Sequence, residues 1–168
     1  MSPVTAMRNV FGDSFFYILY FQEPGVAEAE ADGSEPGWAA FSVHDNGVGV
    51  AGIAGGSGNS DGVRLMSCAV FNGDQTNGFA EAYVYSADNG AIISQNSWGY
   101  TMPEVFEQVV LDAIDYFIAE AGKDEYGRQT GPMNGGLVIF SAGNFNDEKN
   151  YYPAFYEPVL AVAVISSR

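Results

Sequence analysis

Asn144 is the residue of this sequence best placed to do chemistry. It follows three small residues, Ser141, Ala142 and Gly143, which in turn follow the apolar run 137–140. A continuous apolar run predicts a strand buried on both faces of a parallel sheet. Small residues after it leave space at the carboxyl end of the strand, where open α/β sheets bind ligands, and a fixed amide N–H there could stabilise an oxyanion. The same stretch also fits a strand followed by an ordinary Gly-Asn turn.

Three further segments, read together with Asn144, resemble successive signatures of the subtilisin-like serine proteases (peptidase family S8). These segments are 46–54, 96–99 and 152–162, and the resemblance extends over about residues 45–167. Four signatures in the right order are specific, whereas any one alone would be weak. The resemblance implies peptide-bond hydrolysis by acyl transfer. It also implies a three-layer α/β/α fold with a mostly parallel sheet, incomplete at both ends.

The resemblance assigns roles to residues near two strand ends. It implies that Asn144 is the oxyanion donor and that residues 141–143 form one wall of the pocket for the substrate side chain before the scissile bond. Ser97, Trp98 and Gly99 match the segment whose backbone pairs with an extended peptide or protein substrate. Trp98 would then cover one side of that cleft, although packing of its ring on its own helix is an equally open interpretation.

The catalytic triad of the family is absent from this sequence. A triad needs a serine to attack, a histidine to take its proton and an aspartate to orient the ring. No Asp-Thr/Ser-Gly step occurs, residues 33–36 stand where the histidine step is expected, and the serine step is expected beyond Arg168. His44, the single histidine, is interpreted as a solvated imidazole at a helix end rather than a base. We therefore expect an inactive chain of serine endopeptidase lineage. The alternatives are a non-catalytic peptide-binding module and a truncated gene product.

Composition limits the possible partners. The chain has 168 residues, which suits one domain, and its 21 acidic and 6 basic residues give a net charge of −15. This charge argues against nucleic acid or an anionic membrane as a partner. The longest apolar run, 15–21, is too short to span a membrane, and the start of the chain lacks the pattern of a signal peptide. The resemblance nevertheless implies a secreted or cell-surface protein.

No metal or cofactor is assigned. The loop 46–50 matches one that holds calcium in many relatives, but the sequence favours an ordinary loop, and calcium binding stays open. Cys68 is the only cysteine, so no internal disulfide can form, and we interpret it as a buried structural thiol.

The sequence divides into an N-terminal segment of unclear structure, 1–45, and a region of resemblance, 46–168. Strands are expected at 15–21, 63–71, 91–96, 137–140 and 159–164, and a helix at 78–89. Residues at helical spacing in that helix are Phe79, Ala82, Tyr83, Ser86 and Ala87, and Gly90 is placed to end it.

A second helix is expected to start at Thr101, because Thr can cap it, Pro suits the first turn and Glu104 can complete a capping box. Its apolar stripe is Val105, Phe106, Val109, Val110, Ala113, Ile114, Phe117 and Ile118. The alternation of strands and helices predicts right-handed crossovers and a mostly parallel sheet.

Overall fold

The computed structural model describes residues 17–22, 63–72, 75–76 and 78–164. The calcium-type loop 46–50, residues 33–36 and His44 lie outside these ranges. The elements within them, in chain order, are β1 (Tyr17–Gln22), β2 (Arg64–Ala69), β3 (Phe71–Asn72), β4 (Gln75–Thr76), α1 (Phe79–Asp88), β5 (Ala91–Asn96), α2 (Gln108–Glu120), β6 (Leu137–Ser141) and β7 (Leu160–Val162).

Five strands form one parallel sheet in the order β2-β1-β5-β6-β7. The short strands β3 and β4 form a separate antiparallel pair. The predicted α/β class and parallel sheet are therefore confirmed. The strand within 15–21 takes an inner position, because β1 pairs with β2 on one side and with β5 on the other. The division of the chain at residue 45 stays a prediction.

The core lies between the sheet and two helices that pack against each other and against β5 and β6. Tyr83 of α1 meets Phe117 of α2 edge to face, with ring centroids 6.1 Å apart. Both side chains are fully buried, as are Val138 and Phe140 of β6. The second helical layer of the three-layer expectation is not among the described residues. In the described part of the chain, no helix has the length and apolar character needed to cross a membrane.

Helix α1 forms where its apolar periodicity predicted. Its buried residues are the five expected from helical spacing, namely Phe79, Ala82, Tyr83, Ser86 and Ala87. Gly90 follows the helix at φ +92°, a left-handed conformation that suits glycine and ends the helix as expected.

The predicted start of the second helix at Thr101 is wrong, because α2 begins at Gln108. Residue 104 has a positive φ of 60° and is tied to the loop opposite. The Glu104 amide donates to the Asn150 carbonyl oxygen (2.9 Å), and its carboxylate accepts from the Asn150 side-chain amide (2.7 Å). These bonds hold the segment in a turn, so the capping box does not form.

The late start changes the buried face of α2. Val105, Phe106 and Val109 were assigned to the apolar stripe, yet they are exposed. Leu111, which was not assigned to it, is buried together with Val110, Ala113, Ile114 and Phe117.

Strand β6 begins at a very close approach to the end of α2. A Cβ atom added at Gly136 would lie 2.5 Å from the Phe117 ring and 2.7 Å from the Phe117 carbonyl oxygen. The Gly136 amide donates to the Ile118 carbonyl oxygen at 3.0 Å. The helix can rest on the strand at this distance only because residue 136 has no side chain.

Candidate functional site

The two segments singled out from the sequence leave the sheet side by side. β5 and β6 are adjacent and parallel, and Asn96 pairs with Phe140. The segment 97–99 therefore continues from β5 at the same edge where the segment 141–144 continues from the end of β6. This is the carboxyl edge of the sheet, where parallel α/β folds hold their ligands.

Two residues of segment 97–99 have backbone groups without a partner among the described residues. Ser97 and Gly99 are exposed, and no backbone hydrogen bond within the described residues involves either of them. The Tyr100 amide, immediately after, donates to the Tyr152 carbonyl oxygen at 2.9 Å. A Cβ atom at Gly99 would lie 3.3 Å from that same oxygen. The 151–153 turn thus holds the chain just after the segment and leaves the backbone groups of Ser97 and Gly99 available.

The 151–153 turn contains a buried proline. The Tyr152–Pro153 peptide bond is cis, and Pro153 is fully buried.

Segment 141–144 is held at its start and exposed after it. The Ala142 amide donates to the Val162 carbonyl oxygen of β7 at 2.9 Å, and Gly143 has φ +90°. Asn144 is exposed, and its carboxamide makes no hydrogen bond to a described residue. Its donor atoms are therefore available to a ligand.

Asn144 lines an open groove of about 390 Å³. The other residues that line the groove are Ala142, Gly143, Phe145, Asn146, Asp147, Lys149, Tyr151 and Val164. Trp98 does not line it, so the ring and the groove belong to separate parts of this edge.

The Trp98 ring is held on the protein. It stacks on Phe79 at the start of α1, with centroids 4.1 Å apart, and meets Phe140 edge to face at 5.3 Å. Its Nε1–H donates to the side-chain oxygen of Asn96 at 3.3 Å. The side chain is half-buried, which fits the packing interpretation and leaves part of the ring facing solvent.

Asn96 is a fully buried amide at the end of β5. Its Oδ1 accepts from the Tyr83 hydroxyl (2.8 Å) as well as from Trp98. Its Nδ2 donates to the Ser94 hydroxyl (2.9 Å) and to the Ile139 carbonyl oxygen (3.0 Å). One side chain thus connects α1, β5, β6 and the start of segment 97–99. The sequence analysis included Asn96 in the signature 96–99 but assigned it no role, because a buried asparagine at a strand end has no local pattern of its own.

The loop after Asn144 was also missed from the sequence. Phe145 stacks on Tyr151 with centroids 4.2 Å apart and ring planes 12° apart. Asp147 accepts from the Lys149 amide and from the Tyr151 hydroxyl, both at 3.1 Å. Desolvation, and then the bond to Asp147, raise the pKa of Tyr151. The hydrogen bond from the Lys149 amide to the Asp147 side chain, two residues earlier, forms an Asx-turn. The run 144–150, which is rich in Asn and Asp, could have indicated such a turn.

The described residues contain no group of three or more His, Cys, Asp or Glu side chains that could hold a metal ion. Cys68 is half-buried, and burial raises the pKa of its thiol. A raised pKa disfavours the thiolate, the nucleophilic form.

Comparison with known proteins gives one family. The family model Peptidase_S8, described as the subtilase family, matches residues 27–168. Two solved structures have similar folds. The prenylagaramide maturation protease PagA has a TM-score of 0.58 and 19% identity, with 96% of this chain and 58% of that chain covered. MycP1 with its N-terminal propeptide removed has a TM-score of 0.52 and 17% identity, with 97% and 61% covered.

A curated protein is similar over a short stretch. Epoxide hydrolase A of Mycobacterium tuberculosis is 64% identical over 31 residues, which is 18% of this chain and 10% of that protein. The chain thus spans a tenth of that protein and about three fifths of the two solved peptidases.

Proposed function

The chain belongs to the subtilase family of serine proteases, and on that premise we propose that its site binds an extended peptide of the kind that subtilisin-like endopeptidases hydrolyse. Segment 97–99 would pair with the backbone of the peptide, and residues 141–143 would contact a side chain of it.

One observation carries this proposal. The adjacent parallel strands β5 and β6 end side by side. β5 is followed by Ser97 and Gly99, whose backbone groups have no partner among the described residues. β6 is followed by Asn144, whose carboxamide makes no hydrogen bond to a described residue either. Free backbone N–H and C=O groups beside a sheet are what an added peptide strand needs. The 151–153 turn binds Tyr100, so the backbone groups of Ser97 and Gly99 stay available to a peptide.

We propose that Asn144 is the oxyanion donor. Its exposed carboxamide at the groove is available to a carbonyl oxygen of a bound peptide. A preorganised donor of this kind typically contributes about 10²–10³ to the rate of acyl transfer, but only where a nucleophile and a base act with it. The sequence contains no recognisable triad segment, so we propose that this chain by itself does not turn over peptides.

Peptide binding is tested with fluorescein-labelled extended peptides in an anisotropy titration. A counterpart with alternate backbone N-methyl groups serves as the matched probe, because methylation removes N–H donors and keeps the side chains. We expect the methylated peptide to bind at least about tenfold more weakly. Equal affinity for both peptides, or no binding of any extended peptide, would contradict the proposed mode.

Turnover is tested with peptide esters. We expect no hydrolysis above background. A hydrolysis rate that disappears in Asn144→Ala would show that the chain is active and that the inactivity proposal is wrong.

A non-catalytic peptide-binding module is the second candidate. It is favoured by the exposed residues Ser97 and Gly99, whose backbone groups have no partner among the described residues. Peptide binding without ester turnover, together with one cooperative unfolding transition, would support this candidate. A secreted or cell-surface location remains a proposal that rests on the family alone, and fractionation of the native organism tests it.

A further inference from the structure

The groove beside Asn144 extends onto a loop that carries none of the family signatures. It is lined by Ala142, Gly143 and Asn144 together with residues of the loop 145–151. We propose that this groove takes a cationic side chain of the bound peptide, arginine in preference to lysine, and that Asp147 is the residue that selects it. The inference rests on the proposed function, because it names the substrate class of the same site.

The loop supplies a flat surface for a guanidinium group. The Phe145 ring lies nearly parallel to Tyr151 beneath it, with 12° between the planes. Phe145 is 49% exposed, so a large part of it remains uncovered. Arginine stacks on aromatic faces through its planar, weakly hydrated guanidinium, whereas the lysine ammonium is a compact and strongly hydrated charge.

Asp147 supplies a carboxylate of fixed orientation. Its Oδ1 accepts from the Lys149 amide and its Oδ2 from the Tyr151 hydroxyl. An ionised carboxylate offers about four lone-pair sites, so about two remain for a forked donor. The side chain is 31% exposed, which places it within reach of a ligand and partly out of water. A bidentate bond from arginine is stronger and more specific in that setting than one from lysine.

Lys149 is the competing cation. Its Nζ lies 3.8 Å from Asp147 Oδ2, and its side chain is 63% exposed. An ion pair that is long and solvent-exposed contributes little, so a guanidinium with better geometry can replace it. The surroundings also favour a cation, since the chain as a whole carries a net charge of −15.

The experiment compares labelled extended peptides that differ at one position, which holds arginine, lysine, citrulline, leucine or glutamate. Citrulline has the shape of arginine without the charge. We expect arginine to bind roughly tenfold more tightly than citrulline, with lysine between them. Asp147→Asn should reduce the ratio of arginine to citrulline affinity to about two or less, and Lys149→Ala should raise the arginine affinity by roughly two- to fivefold.

Glu148→Gln is the matched control. It removes one negative charge from the same loop, and Glu148 does not line the groove. We expect this variant to keep the arginine-to-citrulline ratio of the parent chain. If Glu148→Gln reduced this ratio as much as Asp147→Asn does, the net charge of the loop rather than Asp147 would account for the preference. If the glutamate peptide bound most tightly, Lys149 would be the residue that selects the side chain. Either result overturns the inference.

Failure of the inference is distinguishable from failure of the proposed function. Equal binding of all five peptides would leave peptide recognition standing and would refute selection by Asp147. If no peptide bound, the proposed function would fail. In that case, a titration with N-acetylarginine amide tests the groove alone, and binding is detected as chemical-shift changes of the loop resonances in NMR spectra. Absence of shifts that depend on Asp147 would overturn the inference as well.

Discussion

Replacement of Asn96 by alanine should destabilise the protein far more than replacement of a surface asparagine. Three of the hydrogen bonds of the Asn96 amide are 3.0 Å or shorter, to Tyr83, Ser94 and Ile139. A buried bond contributes about 1 to 1.5 kcal/mol net, and a buried group left without its partner costs about 1–3 kcal/mol. We therefore expect Asn96→Ala to reduce the free energy of unfolding by about 3–5 kcal/mol, a large part of the roughly 5–15 kcal/mol of a typical domain.

The assay is equilibrium unfolding in urea, followed by far-UV circular dichroism because the substitution also changes the surroundings of Trp98. Asn89→Ala is the matched control. The Asn89 side-chain amide donates to the Tyr85 carbonyl oxygen at 2.7 Å, but at the surface, so its loss should cost about 1 kcal/mol or less.

A double-mutant cycle tests the mechanism. Tyr83→Phe removes the hydroxyl that donates to Asn96, so its effect and that of Asn96→Ala should overlap, with a coupling of about 0.5–3 kcal/mol. If the two effects added to within about 0.5 kcal/mol, or if Asn96→Ala cost less than the Asn89 control, the reasoning that this amide joins the helix to the sheet would be refuted.

Two further outcomes are expected. Gly136→Ala should lower the free energy of unfolding by about 2–4 kcal/mol, because the new Cβ would meet Phe117. Gly127→Ala is the control: residue 127 has open space around it at φ +73°, so this substitution should cost only about 1 kcal/mol. Equal urea midpoints for the two variants would contradict the close approach of Gly136 to Phe117. The hydrogen bond to the Asp115 carboxylate raises the pKa of Tyr156 from 10.0 to about 12, so its contribution to stability is complete below pH 10 and is lost as the pH rises towards 12. In an alkaline absorbance titration Asp115→Asn should move this late tyrosinate step towards pH 10, and an unmoved step would count against the bond.

Patterns that depend on one element were readable from the sequence. The five buried positions of α1 follow from helical spacing, and the apolar run 137–140 became strand β6, in which Val138 and Phe140 are buried and Leu137 and Ile139 are half-buried. The adjacency of segments 97–99 and 141–144 followed from the parallel order of strands, because parallel neighbours end at the same edge. Local periodicity and topology together sufficed for these features.

Features that depend on contacts across the chain were not readable. The helix signal at Thr101 is strong locally, but the bonds between Glu104 and Asn150 override it, and these residues are far apart in sequence. The bonds of Asn96 and the stacking of Phe145 on Tyr151 likewise require the folded chain. The sequence contained each of these residues without any sign of their partners.

The inner position of β1 has a consequence for biosynthesis. Tyr17 pairs with Arg64 on one side and with Ala91 on the other, so one flank of β1 can close only after β2 has been translated and the other only after β5. Such long-range pairing slows folding. An inner strand of the sheet thus stays open along one flank until β5 follows, and during that interval a nascent chain depends on remaining soluble, for which its strong negative charge is suited.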